Sequence, residues 1–210
     1  MDNDPDLPLV RDLASGDAAR RRAALGALFE RHQRAVFNVA WRVLGDWAAA
    51  QDVTQEVFLH LADRVGTFRG DSTLASWLYR LVVNRSIDAR RHESRRPVWR
   101  MGASPPETGA VRPASGDGPP GPPEIEEDDE RARRVRAALA RLSPKLRAIA
   151  VLRYVEGLSY EQLAEVLDCS MGTVKSRLNR AHSALVRELG DWPGFLPGWR
   201  GEPGEGGGVT

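Results

Sequence analysis

The chain has a single cysteine, Cys169, among 210 residues, which rules out an internal disulfide and a cysteine-built structural zinc site. It also lacks an excess of charge of either sign. Its 30 basic and 29 acidic side chains leave a formal +1, so any surface that attracts a polyanion must come from local segregation along the chain. Long apolar runs are missing too. No segment approaches the ~18 uninterrupted apolar residues of a membrane span. Met1–Leu13 carries four aspartates and two prolines without an apolar centre, unlike a secretory leader. The expectation is a soluble, unexported, cytoplasmic protein. The four histidines, His32, His60, His92 and His182, are scattered without metal-ligand spacing, and no Walker loop, Ser-His-Asp or Cys-His arrangement is visible. Neither an enzyme nor a cofactor or metal is expected; surface or satisfied structural histidines are the ordinary account.

What is present is helical. With 41% apolar residues the chain can build true cores, and the fold class expected is all-α: two small helical domains joined by a flexible Pro/Gly-rich linker. Residues 1–17 read as a disordered N-terminus. The first domain, 18–95, carries three stripes at helical spacing: Val36, Phe37, Ala40, Val43 and Leu44; then Val53, Val57, Phe58, Leu61 and Val65 after a break at Gly45-Asp46; then Leu74, Trp77, Leu78, Leu81 and Val82, with Ser72 or Thr73 as cap. Residues 96–125 include GDGPPGPP and cannot bury enough apolar surface to offset the entropy of ordering. The second domain, 126–190, opens with acids that suit a helix start, begins a helix at Ser143-Pro144, and carries an S-x-x-Q capping box at Ser159 to Gln162. Residues 191–210 read as a disordered tail in which Trp192, Phe195 and Trp199 are unusual.

Two stretches point to nucleic acid. In SYEQLAEVLDCSMGTVKSRLNRAHSALVREL, a short helix with Leu163, Ala164 and Leu167 facing inward leads through a tight turn around Cys169 to a longer helix carrying Val174, Leu178, Ala181 and Leu185. That is a helix-turn-helix pattern. Its outer face would present Lys175, Ser176, Arg177, Asn179 and Arg180, with Thr173 near the helix start; these side chains suit guanine, adenine and phosphate contacts. On spacing alone, the same helix also reads as the solvated basic side of an ordinary hairpin. Cys169 beside the turn reads as a small packing residue, with redox sensing as the alternative. The second stretch runs from Arg80 to Arg100, with seven arginines against two acids, and continues the helix that carries Trp77 and Tyr79. Rings and guanidinium planes can hold an unstacked base, although Trp77 also reads as core.

The sequences AAAQDVTQEVFLHLADRV, FRGDSTLASWLYRLVVNRSIDARR and LSPKLRAIAVLRYVEGLSYEQLAEVLDCSMGTVKSRLNRAHSAL stand in that order. Together they closely resemble the polymerase-binding, promoter-melting and region-four segments of the sigma-70 family's extracytoplasmic-function sigma factors. The resemblance implies a transcription initiation factor, with bacterial core RNA polymerase and promoter DNA, duplex and melted, as partners, and an anti-sigma factor as regulator. Asp52, Gln55 and Glu56 match the positions that face polymerase. Phe68, Arg69, Gly70, Asp71 and Ser72, with Asn84 further along, match the pocket for a flipped minus-ten base. Trp77, Arg80, Arg85 and Arg91 lie on the adjoining basic helix. Thr173, Lys175, Ser176, Arg177, Asn179 and Arg180 match the minus-thirty-five reader. The rival reading, a stand-alone dimeric helix-turn-helix regulator, leaves the FRGDS loop and the D-x-x-Q-E helix unexplained.

Overall fold

The computed structural model describes residues 4–68, 70–95 and 130–190. Its helices are α1 (Leu7–Leu13), α2 (Ala18–Leu44), α3 (Trp47–Arg64), α4 (Leu74–Arg95), α5 (Glu130–Arg141), α6 (Pro144–Tyr154), α7 (Tyr160–Val166) and α8 (Met171–Leu189), with one 3-10 turn at Val65–Thr67. Among the described residues there is no strand, and no helix is long and apolar enough to cross a membrane. The expected linker, 96–125, and the expected tail, 191–210, lie outside the described residues.

Local chemistry sets the boundaries. Asp17 caps α2 by accepting from the N–H groups of Ala19 and Arg20 at 2.8 and 3.3 Å. Gly45 then ends it in the left-handed region (φ 76°), which a side chain would resist. Asp46 restarts the chain by accepting from Ala49 N–H at 2.7 Å. Of the two candidate caps before α4, Thr73 is the one that accepts from Ser76 N–H, at 3.1 Å. The capping box at α7 is complete: Ser159 Oγ accepts from Gln162 N–H and Gln162 Oε1 accepts from Ser159 N–H. Helix α6 starts at Pro144 as expected, although the Ser143 side chain makes no cap bond.

Helices α2, α3 and α4 pack mutually, and α8 gathers α5, α6 and α7. The first two stripes read from the sequence are buried in full; of the third, Leu74, Leu78 and Val82 are buried while Trp77 and Leu81 are partly covered. The two helical sets also pack on each other, α2 against α5 and α6 and α4 against α6 and α7, so that their buried residues form one continuous cluster.

Arg147 sits at that seam, 1% exposed. Among the described residues it has no acidic partner there. Its Nε donates to Leu139 O at 2.6 Å and its Nη groups donate to Leu142 O at 3.3 Å and to Ala140 O, all at the C-terminal end of α5, while Nη1 reaches Val43 O at 2.8 Å near the end of α2. Carbonyls left over at helix C-termini carry partial negative charge, so one guanidinium satisfies the ends of two helices, one from each half. Burial, with a smaller contribution from Arg90, pushes its pKa down to about 10, leaving it charged at neutral pH.

The N-terminus corrects an expectation. The acidic, proline-bearing start reads as disordered, yet α1 forms and buries Val10 and Leu13 against α2. Asp6, 3% exposed, meets Arg31 and His32 Nε2, the latter at 2.7 Å. Burial of Val10 and Leu13 supplies the order that composition does not reveal, and the pairing keeps the buried carboxylate from opposing it.

Candidate nucleic-acid interface

Helix α8 is buried along Val174, Leu178, Ala181 and Leu185, the four positions expected. That stripe turns Lys175, Ser176, Asn179 and Arg180 to solvent, with Thr173 and Arg177 partly covered. The helix starts earlier than expected: Ser170 is its cap, accepting from Thr173 N–H at 3.2 Å, so Gly172 lies inside the first turn. Leu163 and Val166 are the buried residues of α7, with Ala164 and Leu167 packed at the edge of the core. Asp168 carries the tight turn in the left-handed region at φ 45°. Cys169 is half-buried, and Arg177 Nη1 stands 3.8 Å from its sulfur. The result is an exposed basic face on a rigidly backed helix whose own N-terminus points outward, an arrangement suited to a major groove.

On α3, Asp52, Gln55 and Glu56 are all exposed on one face. The same face continues one turn on to Leu59, which is 66% exposed. Sequence reasoning missed this residue; its signal was spacing, since Leu59 falls outside the apolar stripe of its own helix. A large apolar side chain beside a polar cluster makes a suitable anchor for a protein partner.

The 68–72 loop lies between α3 and α4. Phe68 packs edge-on to Trp77 with ring centroids 6.2 Å apart, and His60 stacks on the same indole at 6.0 Å. Trp77 is therefore half core and half accessible. Gly70 takes φ 73°, Asp71 is exposed and Ser72 half-buried; Arg69 lies outside the described residues. Asn84 is exposed but nearly three turns beyond the start of α4 at 3.6 residues per turn, so it and the loop form two ends of a surface rather than one closed pocket.

The arginine face is partly engaged. Arg85 and Glu56 pair at 3.8 Å and Arg91 and Asp88 at 3.6 Å, all at solvent-exposed positions where such pairs are weak. Arg90 donates to Leu44 O at 2.9 Å, tying α4 to the end of α2. Arg80 Nη2 donates to Glu165 O of α7 at 2.6 Å, and its neighbour Tyr79 donates to Glu156. Two groups on the helix expected to meet DNA thus hold the other half of the molecule. Nearby, a cleft of about 360 Å³ is lined by Trp41, Arg42, Arg136 and Arg147, with Arg136 over the Trp41 ring. Among the described residues no group of histidine, cysteine or acidic side chains could hold a metal.

Comparison with known proteins gives two family matches along the chain. The family profile Sigma-70 region 2 matches residues 28–96, and Sigma-70, region 4 matches residues 132–185. The RNA polymerase sigma-H factor of Pseudomonas aeruginosa is 32% identical over 197 residues, covering 90% of this chain and 96% of that protein. The ECF RNA polymerase sigma-E factor of Escherichia coli is 33% identical over 191 residues, covering 88% and 94%. Among solved structures, CnrH in complex with the cytosolic domain of CnrY has a similar fold, with a TM-score of 0.60 at 24% identity over 88% of this chain and 96% of that one. So does the sigma factor RpoE of Bartonella quintana, solved with the anti-sigma factor NepR, with a TM-score of 0.56 at 22% identity over 78% and 95%.

Proposed function

The chain belongs to the extracytoplasmic-function RNA polymerase sigma factors, and from that membership we propose that it binds core polymerase, directs it to promoters and assists strand opening, with no catalysis of its own. The observation that carries the reading is the exposed Lys175–Arg180 face of α8, held by a buried stripe, in a chain whose other half carries region 2. In this reading α8 enters the major groove at the minus-thirty-five element. The Phe68–Ser72 loop, Trp77, Asn84 and the basic side of α4 hold unpaired minus-ten bases, and Asp52, Gln55 and Glu56 dock on polymerase. Stacking worth ~1–3 kcal/mol per base offsets the few kcal/mol that unstacking costs. An anti-sigma factor is the regulator this reading calls for, and the cytoplasm its compartment.

Arg80 gives an Nη2 donor to Glu165 O and Tyr79 gives its hydroxyl to Glu156, so part of the α4 face is drawn against the second half. The packed arrangement is therefore read as the polymerase-free form, which separates along the α4–α7 seam when both halves engage DNA.

The test is run-off transcription with purified bacterial core polymerase and a promoter library. Wild type should give transcripts that depend on this protein; Asn84→Ala should lose them and Arg177→Ala should shift upstream preference. Failure of core polymerase to bind the protein or initiate with it would leave the dimeric regulator as the reading.

A further inference from the structure

The first turn of a helix leaves backbone N–H groups without partners, and a residue just before the helix normally supplies the acceptor. At α4 that job is divided. Thr73 takes Ser76 N–H, but Leu74 N–H donates to Asp4 Oδ2 at 2.7 Å, 70 residues earlier in the sequence. Asp4 is itself fixed: its Oδ1 accepts from Asp6 N–H at 3.0 Å, and its backbone carbonyl accepts from Leu7 N–H at 3.2 Å at the start of α1. The segment behind it is anchored by the buried Asp6 on Arg31 and His32 and by Val10 and Leu13 in the core. Leu74 is the first residue after the 68–73 loop. At its other end the loop is held by the Phe68–Trp77 contact.

We propose that Asp4 is a positioning residue: held just ahead of α1, it clamps the N-terminus of α4 and so sets the shape of the loop that reads the melted minus-ten element. The proposal rests on the sigma-factor reading above. A carboxylate beside a nucleic-acid surface opposes phosphate binding, so its cost is offset only by a structural return, which the helix-end N–H and dipole supply. Asp4 touches no base; it acts through the loop.

The experiment compares holoenzymes containing wild type, Asp4→Ala and Asp4→Asn on fork-junction probes whose minus-ten bases are substituted one at a time. Run-off transcription, polymerase affinity and upstream duplex affinity are measured in parallel. Asp4→Ala should reduce discrimination between preferred and substituted minus-ten bases by about fivefold, the equivalent of one net hydrogen bond, with polymerase and upstream affinity unchanged. Asp4→Asn keeps one oxygen acceptor for Leu74 N–H but gives up the second, which Asp6 N–H uses, and should recover part of the discrimination. Unchanged base selectivity in Asp4→Ala overturns the proposal, as does a uniform loss across every readout with no recovery in Asp4→Asn. A wild-type protein that cannot initiate removes the sigma-factor reading itself and the proposal with it, an outcome distinct from either.

Discussion

The Tyr79 hydroxyl on α4 donates to Glu156 Oε2, just beyond α6, at 2.8 Å, joining the half expected to open DNA to the half expected to read it as duplex. Burial first, then this bond and the Glu156 charge, hold the phenol pKa well above its ordinary range. The neutral phenol is thus the form the packed state prefers. Below the ordinary phenol value of about 10, Tyr79 is neutral both packed and free, and the contact contributes in full. As pH rises above that value the separated form gives up its proton first, so packing weakens with increasing pH. The distance between dyes placed on α3 and α8, followed by energy transfer, should lengthen above about pH 10 in wild type and less steeply in Tyr79→Phe.

At neutral pH Tyr79→Phe should by itself loosen the packed form by about 1 kcal/mol, the net worth of one hydrogen bond. Size-exclusion or scattering measurements of the free protein would register an increased radius. Upstream DNA affinity should not fall, because Tyr79 is not on α8.

Arg147 has a larger role. Arg147→Leu strips the carbonyls of Ala140, Leu142 and Val43 of their shared donor, while Leu139 O keeps the N–H of Leu142. Each buried polar group left unsatisfied costs about 1–3 kcal/mol, so urea unfolding should show a loss of several kcal/mol. Arg147→Lys should recover only part of it, since an ammonium cannot reproduce the planar fork. Equal stability of the leucine variant and wild type would refute this account of the seam.

Leu59→Asp should separate binding from folding. The side chain is 66% exposed, so thermal stability should change by no more than about 0.5 kcal/mol. Affinity for core polymerase should fall by about tenfold or more if Leu59 anchors that contact, a loss of about 1.4 kcal/mol. Binding by the variant at wild-type strength would confine the interface to Asp52, Gln55 and Glu56.

Lys175→Ala and Arg180→Ala should each weaken holoenzyme binding across promoter sequences and reduce the slope of log affinity against log salt by about 1, as phosphate contacts do. Arg177→Ala should instead change which upstream sequence is preferred.

Much of this fold was legible because its helices are amphipathic and locally capped. The Val36–Leu44 and Val53–Val65 stripes, the Gly45-Asp46 stop and start, and the Ser159–Gln162 box each declare themselves within a few residues. So does the Val174–Leu185 stripe, which fixes the outward face of α8. What was not legible depends on partners distant in the sequence. Asp6 reads as a solvated acid until Arg31 and His32 enclose it. Arg147 reads as a surface cation on α6, because no local pattern shows that the ends of α2 and α5 converge on it. The same holds for Arg80, whose bond to Glu165 O is made by packing between the halves and not by periodicity.

At the end of α2, Arg90 on Leu44 O ties the first half to itself while Arg147 on Val43 O reaches in from the second, and that second bond limits how far the two halves can be treated as exchangeable modules. A hybrid that joins this first half to a relative's second half would keep both surfaces proposed to meet DNA. Unless the newcomer brought a guanidinium to the same pair of helix ends, the Val43 carbonyl would lose its donor from the second half, and the hybrid would hold its two halves together less firmly while each kept its own internal packing.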